Sequence, residues 1–189
     1  KPDIQDFELI APIAEGGFGE VWLARNVLGG FRAIKVVKWS ESSKEDHEKK
    51  LKHFQAEFKG IKAYAPISQK HDGLLDILHT GIREAEGYYF YVLPLADDLR
   101  LGSDVDPDNY TPKTLAKYLQ KSEEGRLTPE ESIEIIRQVA FALRDLHGEG
   151  VVHRDIKPDN IICVNDRWCL GDIGLVAKQG AETFVGTLG

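Results

Sequence analysis

Alternating apolar and polar residues predict short β-strands along the first half of the chain. A glycine-rich loop separates the first strand from the second, and Gly29 and Gly30 form a turn before the third. The predicted strands cover residues 7–14, 21–25, 31–39, 74–78 and 88–93. We therefore expect five strands to form the bulk of this half.

The long charged stretch at residues 43–64 predicts an amphipathic helix between the third and fourth strands. Its apolar residues recur at intervals of three or four, so they share one helical face. These residues are Leu51, Phe54, Phe58 and Ile61.

Two helix start signals mark the second half of the chain. Thr111 followed by Pro112 predicts the beginning of one helix. The sequence T-P-E-E at residues 128–131 has the pattern of a capping box, which predicts a longer helix that ends at Gly148. Apolar residues keep helical spacing within it at positions 133, 136, 140, 143 and 146.

The remaining elements complete an α+β pattern. An aspartate-rich polar segment at residues 97–111 connects the strands to the helices, and we interpret it as a solvated loop. After the long helix, Asn165 and Asp166 predict the turn of a small hairpin between residues 161–164 and 167–170. Five strands and a helix are thus followed by a connector and a mainly helical part.

Composition and charge narrow the classes of function. The chain has 189 residues, 42% hydrophobic and 29% charged, which suits one domain or two small lobes with a real core. Its net charge of −7 argues against a nucleic-acid-binding protein, which needs a basic surface.

Cysteine content and hydropathy indicate the cellular setting. Cys163 and Cys169 are too few for a disulfide framework, so we expect two buried small side chains. No apolar run approaches the roughly 20 residues that span a bilayer, and no signal peptide opens the chain, so we expect a cytoplasmic location. The chain begins at Lys1 and contains no methionine, and we interpret it as a trimmed piece of a longer protein.

The sequence E-G-G-F-G-E-V at residues 15–21 lies between two predicted strands. Glycines let backbone N–H groups approach phosphate oxygens without interference from a Cβ. The pattern alone is equally compatible with a plain glycine-rich hairpin.

Lys35 lies among apolar residues on the third strand, in the sequence A-I-K. A buried ammonium group needs a partner, and a carboxylate or a phosphate would supply one. Glu57 stands on the apolar side of the predicted helix near Phe54 and Phe58, where a carboxylate needs a cation. The alternative is a lysine on a solvated strand face.

The most informative segment is V-V-H-R-D-I-K-P-D-N at residues 151–160. It places Asp155, Lys157 and Asn160 in one loop, and Asp172 follows soon after the predicted hairpin. Phosphoryl transfer needs a carboxylate for the attacking hydroxyl, a cation for the moving phosphoryl group and oxygen ligands for magnesium. This segment supplies all three.

In the order and spacing of these motifs, the chain resembles eukaryotic-type protein kinases from Lys1 to its end. The resemblance implies a two-lobed α+β fold. An ATP-binding lobe with a five-stranded antiparallel sheet and one helix would cover residues 1–93, and the hinge and a partial, mainly helical lobe would cover residues 94–189. The sequences P-L-A-D-D and D-I-G-L-V look most like bacterial members.

The resemblance also implies the reaction, which is transfer of the γ-phosphate of ATP to serine or threonine hydroxyls of protein substrates. Asp155 would be the catalytic base, and Lys157 would stabilise the transferred group. Lys35 would contact the phosphates and pair with Glu57. His153 would belong to a column of side chains that links the lobes.

The same resemblance implies a nucleotide and metal site. Asn160 and Asp172 would bind Mg²⁺. The residues that would contact ATP in the glycine loop, on the strands and at the hinge are Ile13, Ala14, Gly16, Gly17, Gly19, Val21, Ala33, Lys35, Pro94, Leu95, Ala96 and Ile162.

Three features depart from the family pattern. Ala14 replaces the first glycine of the loop, and Ile173 replaces the usual phenylalanine after the metal-binding aspartate. The chain stops at G-T-L-G, residues 186–189, before the family's Pro-Glu signature. We therefore expect a truncated helical lobe with an exposed apolar face on the helix after Thr128, and self-association through that face.

Three alternatives remain open. A small-molecule phosphotransferase of similar fold shares the aspartate and asparagine, but Lys157 and the G-T-L-G sequence favour protein substrates. A pseudokinase or scaffold usually lacks a key group, whereas Lys35, Asp155 and Asp172 are present. The third alternative is a folded, nucleotide-binding but inactive fragment.

Overall fold

The computed structural model describes residues 1–16, 19–38, 58–122, 125–172 and 177–178. Within these ranges, an antiparallel sheet packs beside one helix, and a mainly helical part with small β-hairpins follows. This arrangement confirms the expected two-lobed α+β fold class. The boundary between residues 93 and 94 stays a prediction.

Five antiparallel strands form the sheet in the order β1-β2-β3-β5-β4. Their bounds are β1 Phe7–Gly16, β2 Gly19–Asn26, β3 Phe31–Lys38, β4 His79–Arg83 and β5 Tyr88–Pro94.

The sheet is covered on both faces around β5, because alternate β5 residues belong to two different clusters. Phe90 and Val92 pack with Ile34 in a small cluster, whereas Tyr89 and Tyr91 join the main core. Side chains alternate across a strand, so a strand between two cores is apolar throughout. Six of the seven β5 residues are accordingly buried.

The prediction of a strand at residues 74–78 was wrong, and the fourth strand is β4, His79–Arg83. Residues 74–78 form a loop in which Leu74, Leu75 and Ile77 are buried and Leu78 is exposed, and the loop backbone bonds to other elements. The Leu75 N–H donates to the carbonyl of Leu170 at 3.2 Å, and the Leu75 carbonyl accepts from the Tyr64 hydroxyl at 3.0 Å. Leu74, Leu75 and Ile77 suggested a strand because they are apolar, and they are apolar because they pack in the main core with Ile61 and Tyr64 of the neighbouring helix.

That neighbouring helix, α1, is described over residues 58–68. The predicted helix over residues 43–64 is therefore confirmed in its last part, and it continues four residues further. Residues 43–57, which include Glu57, lie outside the described residues.

Two further helices follow, α2 Leu115–Lys121 and α3 Pro129–Gly148. The prediction that Thr111 begins α2 was wrong, since the N-cap is Thr114. Thr111 instead donates its backbone N–H to the carboxylate of Asp98 at 2.8 Å. The predicted capping box of α3 is confirmed by reciprocal bonds between Thr128 and Glu131.

Short strands complete the chain, namely β6 Val151–Val152, β7 Ile161–Val164, β8 Arg167–Leu170 and β9 Ala177–Lys178. Strands β7 and β8 form the predicted hairpin. Asn165 and Asp166 make its turn with φ of 50° and 58°, the left-handed values that a tight hairpin turn requires.

Helix α3 packs through a stripe that matches the predicted one only near its C-terminal end, where Leu146 is buried and Leu143 packs against the core. Ile135, Ala142 and Leu146 are buried, whereas Ile133 and Ile136 are each 67% exposed. Contact is closest at Gly73, where an added Cβ would lie only 2.9 Å from that of Ala142. The apolar residues of α3 occupy two faces, and only one of them reaches the core. No helix in the described ranges is long and apolar enough to cross a membrane.

Replacing Ile135 with alanine should lower the free energy of unfolding by about 2–5 kcal/mol, because it leaves a cavity in the core. Ile133→Ala is the matched control on the exposed face, and its effect should stay within about 0.5 kcal/mol. Urea unfolding followed by circular dichroism measures both. Equal losses would contradict the assignment of the two faces.

Self-association through the exposed face of α3 stays a prediction, and the exposure of Ile133, Ile136 and Phe141 supports it. Sedimentation velocity at increasing concentration should show oligomers of the wild type. The double variant Ile133→Lys, Ile136→Lys should sediment as a monomer. Leu101→Lys, which changes an exposed leucine elsewhere, should not alter the oligomers; a monomeric wild type would contradict the prediction.

Candidate active site

Lys35 links the sheet to the segment that follows β8. Its side chain is 8% exposed, and its Nζ donates to Oδ1 of Asp172 at 2.7 Å. The same Nζ lies 5.8 Å from the centre of the Tyr91 ring, on the neighbouring strand. The sequence assigned Lys35 to Glu57, which lies outside the described residues. The pairing with Asp172 was not anticipated.

Asp155 lies in the loop between β6 and a 3-10 turn at Pro158–Asn160. Its Oδ2 accepts from Nζ of Lys157 at 2.9 Å and from Nδ2 of Asn160 at 2.8 Å. The hydrogen bond that Lys157 donates to Asp155 raises the pKa of Lys157, which therefore stays charged. The carboxylate is 24% exposed, so it is held in place and still accessible to a reacting group.

Asn160 connects this loop to the hairpin. Its Nδ2 also donates to the carbonyl of Asp155 at 2.8 Å, so the amide oxygen Oδ1 is turned away from Asp155. Its own carbonyl accepts from the N–H of Gly171 at 2.8 Å, directly before Asp172. The backbone bond therefore ties Asn160 to the residue before Asp172, and amide and carboxylate oxygens are both ligands that Mg²⁺ prefers.

His153 also links the loop that holds Asp155 to Gly171. Its Nε2 bonds to the carbonyl of Gly171 at 2.8 Å, and the N–H of Asp155 points to its Nδ1 at 3.4 Å. Because a carbonyl only accepts and an N–H only donates, Nε2 must carry the proton of a neutral ring. Burial lowers the pKa of His153, which favours this neutral form.

Two residues of the site have backbone conformations that side chains seldom adopt. Arg154 and Asp172 have φ of 69° and 48°. Such values cost roughly 1–3 kcal/mol each in general, and they persist where surrounding bonds impose them. Here Arg154 lies between His153 and Asp155, whose N–H points to the His153 ring. Asp172 follows Gly171, which bonds to His153 and Asn160.

Several residues predicted to contact ATP belong to the main core or pack against it. Ala33 and Leu93 pair across β3 and β5, and the apolar members Ile13, Val21, Leu95 and Ile162 pack against the same core. Ala14 pairs with Val21, and Gly16 pairs with Gly19 at the ends of β1 and β2. Gly17 lies outside the described residues.

Gly19 is required at its position. Its φ is 122°, and a Cβ there would overlap the carbonyl of Val36. The start of β2 can therefore lie this close to β3 only because Gly19 has no side chain. Gly19 is therefore explained by strand packing, which leaves both interpretations of the glycine loop open.

Sequence reasoning missed Asp97, which directly follows Ala96 of the predicted hinge and is 4% exposed. Its Oδ1 accepts from the N–H of Asn165 and its Oδ2 from that of Asp166, both at 2.8 Å. The only signal in the sequence was the aspartate pair within P-L-A-D-D. Asp97 ties the hinge to the β7–β8 turn.

Asp97, Cys163 and Asp166 lie close enough together to suggest a metal site. Two backbone N–H groups and the Cys163 thiol already occupy the oxygens of Asp97. Burial raises the pKa of Cys163 to about 12, so it remains a thiol and not the thiolate that metals bind. We therefore assign the Asp97 carboxylate a structural role, in which it holds the β7–β8 turn.

The fold and these residues place the chain in the protein-kinase-like class. It belongs to the protein kinase domain family, whose model matches residues 7–189.

Among similar proteins are the probable serine/threonine protein kinase IREH1 of Arabidopsis thaliana and the probable serine/threonine-protein kinase pkgA of Dictyostelium discoideum. The first is 31% identical over 93% of this chain and 12% of its own length, and the second 32% over 85% and 10%. The serine/threonine-protein kinase greatwall of Xenopus tropicalis is 29% identical over 92% and 17%.

The chain thus spans between 10% and 17% of the length of these relatives. All three are eukaryotic, so they lend no support to the expected likeness to bacterial members.

Asp97→Asn should lower the free energy of unfolding by about 1–3 kcal/mol, because an amide N–H₂ would face backbone donors that now bond to a carboxylate. Asp166→Asn is the matched control, since its side chain is exposed and asparagine tolerates the same positive φ. Urea unfolding measures both variants. A control as unstable as Asp97→Asn would mean that turn conformation, not the Asp97 bonds, determines stability.

Proposed function

We propose that the chain is the catalytic part of a protein kinase that transfers the γ-phosphate of ATP to serine or threonine hydroxyls of protein substrates. One observation carries the proposal. The Asp155–Lys157–Asn160 network is joined to the Lys35–Asp172 ion pair through Gly171, whose N–H bonds to Asn160 and whose carbonyl bonds to His153.

Each side chain has a role in the transfer. The carboxylate of Asp155 orients the acceptor hydroxyl and takes its proton as the hydroxyl oxygen bonds to the γ-phosphorus. The bond from that phosphorus to the β–γ bridging oxygen breaks, and ADP leaves. Lys157, charged and bonded to Asp155, offsets the negative charge on the transferred phosphoryl group. Lys35 holds the phosphates from the sheet side.

The residues present suit Mg²⁺ and ATP. Asn160 and Asp172 would hold the metal, since the hydrogen bonds of Asn160 turn its amide oxygen away from Asp155. Mg²⁺ supplies charge neutralisation at the phosphates when it is bound. Gly16 and Gly19 flank the glycine loop, whose backbone N–H groups would approach the phosphates. Glu57 and Gly17 complete the proposed site, with the adenine near Pro94, Leu95 and Ala96.

The choice of protein substrates rests on two arguments. The similar proteins carry the names of serine/threonine kinases. Lys157, two residues after the proposed base, is the residue that favoured protein kinases over small-molecule phosphotransferases in the sequence. A cytoplasmic location stays a prediction.

Asp155→Asn should lower kcat for phosphate transfer to a serine/threonine peptide library at least about 100-fold, because the general base is lost. Affinity for Mg-ATP, measured by calorimetry, should change little since Asp155 acts on the acceptor.

Lys35→Ala should weaken both ATP binding and transfer. Removal of Mg²⁺ with EDTA should abolish transfer.

Asp166→Asn is the matched control for these variants, because it removes an exposed carboxylate of the same part of the chain. It should keep wild-type kcat. A wild type that binds Mg-ATP without transferring phosphate would favour the pseudokinase or inactive-fragment alternatives. Transfer to small hydroxyl compounds but not to peptides would favour the small-molecule phosphotransferase.

A further inference from the structure

The peptide unit between Ala96 and Asp97 is held from two sides at the proposed adenine site. Its carbonyl, from Ala96, accepts a hydrogen bond from the hydroxyl of Tyr110 at 2.9 Å. Its N–H, from Asp97, donates to the carbonyl of Cys163 at 2.8 Å. Because a peptide unit is planar, these two bonds fix its orientation. They also restrict ψ of Ala96, and with it the direction of the Ala96 N–H.

Tyr110 is suited to this contact as a permanent donor. Its side chain is half-buried, and burial together with the nearby charges of Asp98 and Asp97 raises its pKa well above the usual range. The hydroxyl therefore keeps its proton. It donates to Ala96 across the ordinary pH range.

Asp98 anchors the loop that carries Tyr110. Its Oδ1 accepts from the N–H groups of Arg100 and Leu101 at 2.8 and 2.9 Å, and its Oδ2 accepts from the N–H of Thr111 at 2.8 Å. Burial acts to raise the pKa of Asp98, but these donors outweigh it and the pKa is lowered. The carboxylate thus remains charged and bonded next to Tyr110.

The other bond of the peptide unit leads to the opposite wall of the proposed site. Cys163 follows Ile162, which packs against the main core from β7 and is the proposed floor of the adenine site. Asp97 bonds to the turn of the same hairpin. The proposed hinge backbone is therefore connected to the β7–β8 hairpin through the N–H of this peptide unit. Tyr110 holds the other end of the unit, which is the Ala96 carbonyl.

We propose that Tyr110 is a positioning residue for the nucleotide base, which sets the orientation of the hinge peptide by donating to the Ala96 carbonyl. The inference rests on the proposed function and deepens it. The edge of an adenine ring carries donors and acceptors at fixed directions, so its affinity depends on how the hinge backbone groups are oriented. Tyr110 is not among the residues proposed to contact the phosphates or the acceptor, so its effect should appear in nucleotide affinity.

Tyr110→Phe tests this with the loss of one hydroxyl. The Kd for Mg-ADP, measured by calorimetry, should rise about 3- to 10-fold, the range of one ordinary hydrogen bond. KM for ATP should rise by a similar factor, with kcat changed less than about twofold. A merely structural role would instead lower stability without this split between KM and kcat.

Tyr88→Phe is the matched control. Its hydroxyl also donates to a backbone carbonyl, that of Asp3 at 2.7 Å, but it stands at the opposite end of β5 from the hinge. It should leave the Kd for Mg-ADP unchanged. Urea unfolding of both variants shows whether either loses stability.

The outcomes separate the two proposals. Wild-type protein that binds no Mg-ADP overturns the proposed function and this inference with it. Wild type that binds Mg-ADP, with Tyr110→Phe binding equally well, overturns the inference alone. An equal rise in Kd for both tyrosine variants also overturns it, because the effect would not be specific to the hinge.

Discussion

The site depends on the ion pair between Lys35 and Asp172. An ammonium group on the covered face of a sheet loses most of its hydration, and an uncompensated charge there costs several kcal/mol. Asp172, in the segment after β8, compensates the charge of Lys35. The ion pair therefore holds this segment against the sheet. Gly171 places Asp172 through bonds to Asn160 and His153, so the same pair is connected to the loop that holds Asp155.

Features that depend on neighbouring residues could be predicted from the sequence. The capping box of α3 and the tight turn of the β7–β8 hairpin each need only a few adjacent residues, and both are present. Asp155, Lys157 and Asn160 are likewise within six residues of each other, so one loop must hold them. Their types and spacing indicated phosphoryl transfer before any geometry was known.

Features that depend on distant partners could not be predicted in this way. Apolar residues at 74–78 suggested a strand, but the backbone of Leu75 bonds to Leu170, far along the chain. Thr111 had the sequence of a helix cap, yet the carboxylate of Asp98 binds its N–H in an extended segment. Tyr110 gave no signal, because its role depends on the return of an aspartate-rich loop to the hinge. In each case a tertiary hydrogen bond outweighed a local preference.

The protonation of His153 has a consequence for spectroscopy. Its Nε2 proton points into the interior toward a carbonyl, on a side chain that is 1% exposed. Such a proton exchanges slowly with solvent, so it can give a separate imidazole resonance in water. The resonance would persist only while the catalytic loop and the segment before Asp172 remain joined. The imidazole proton resonance of His153 would therefore report whether the loop at Asp155 and the segment at Asp172 are joined.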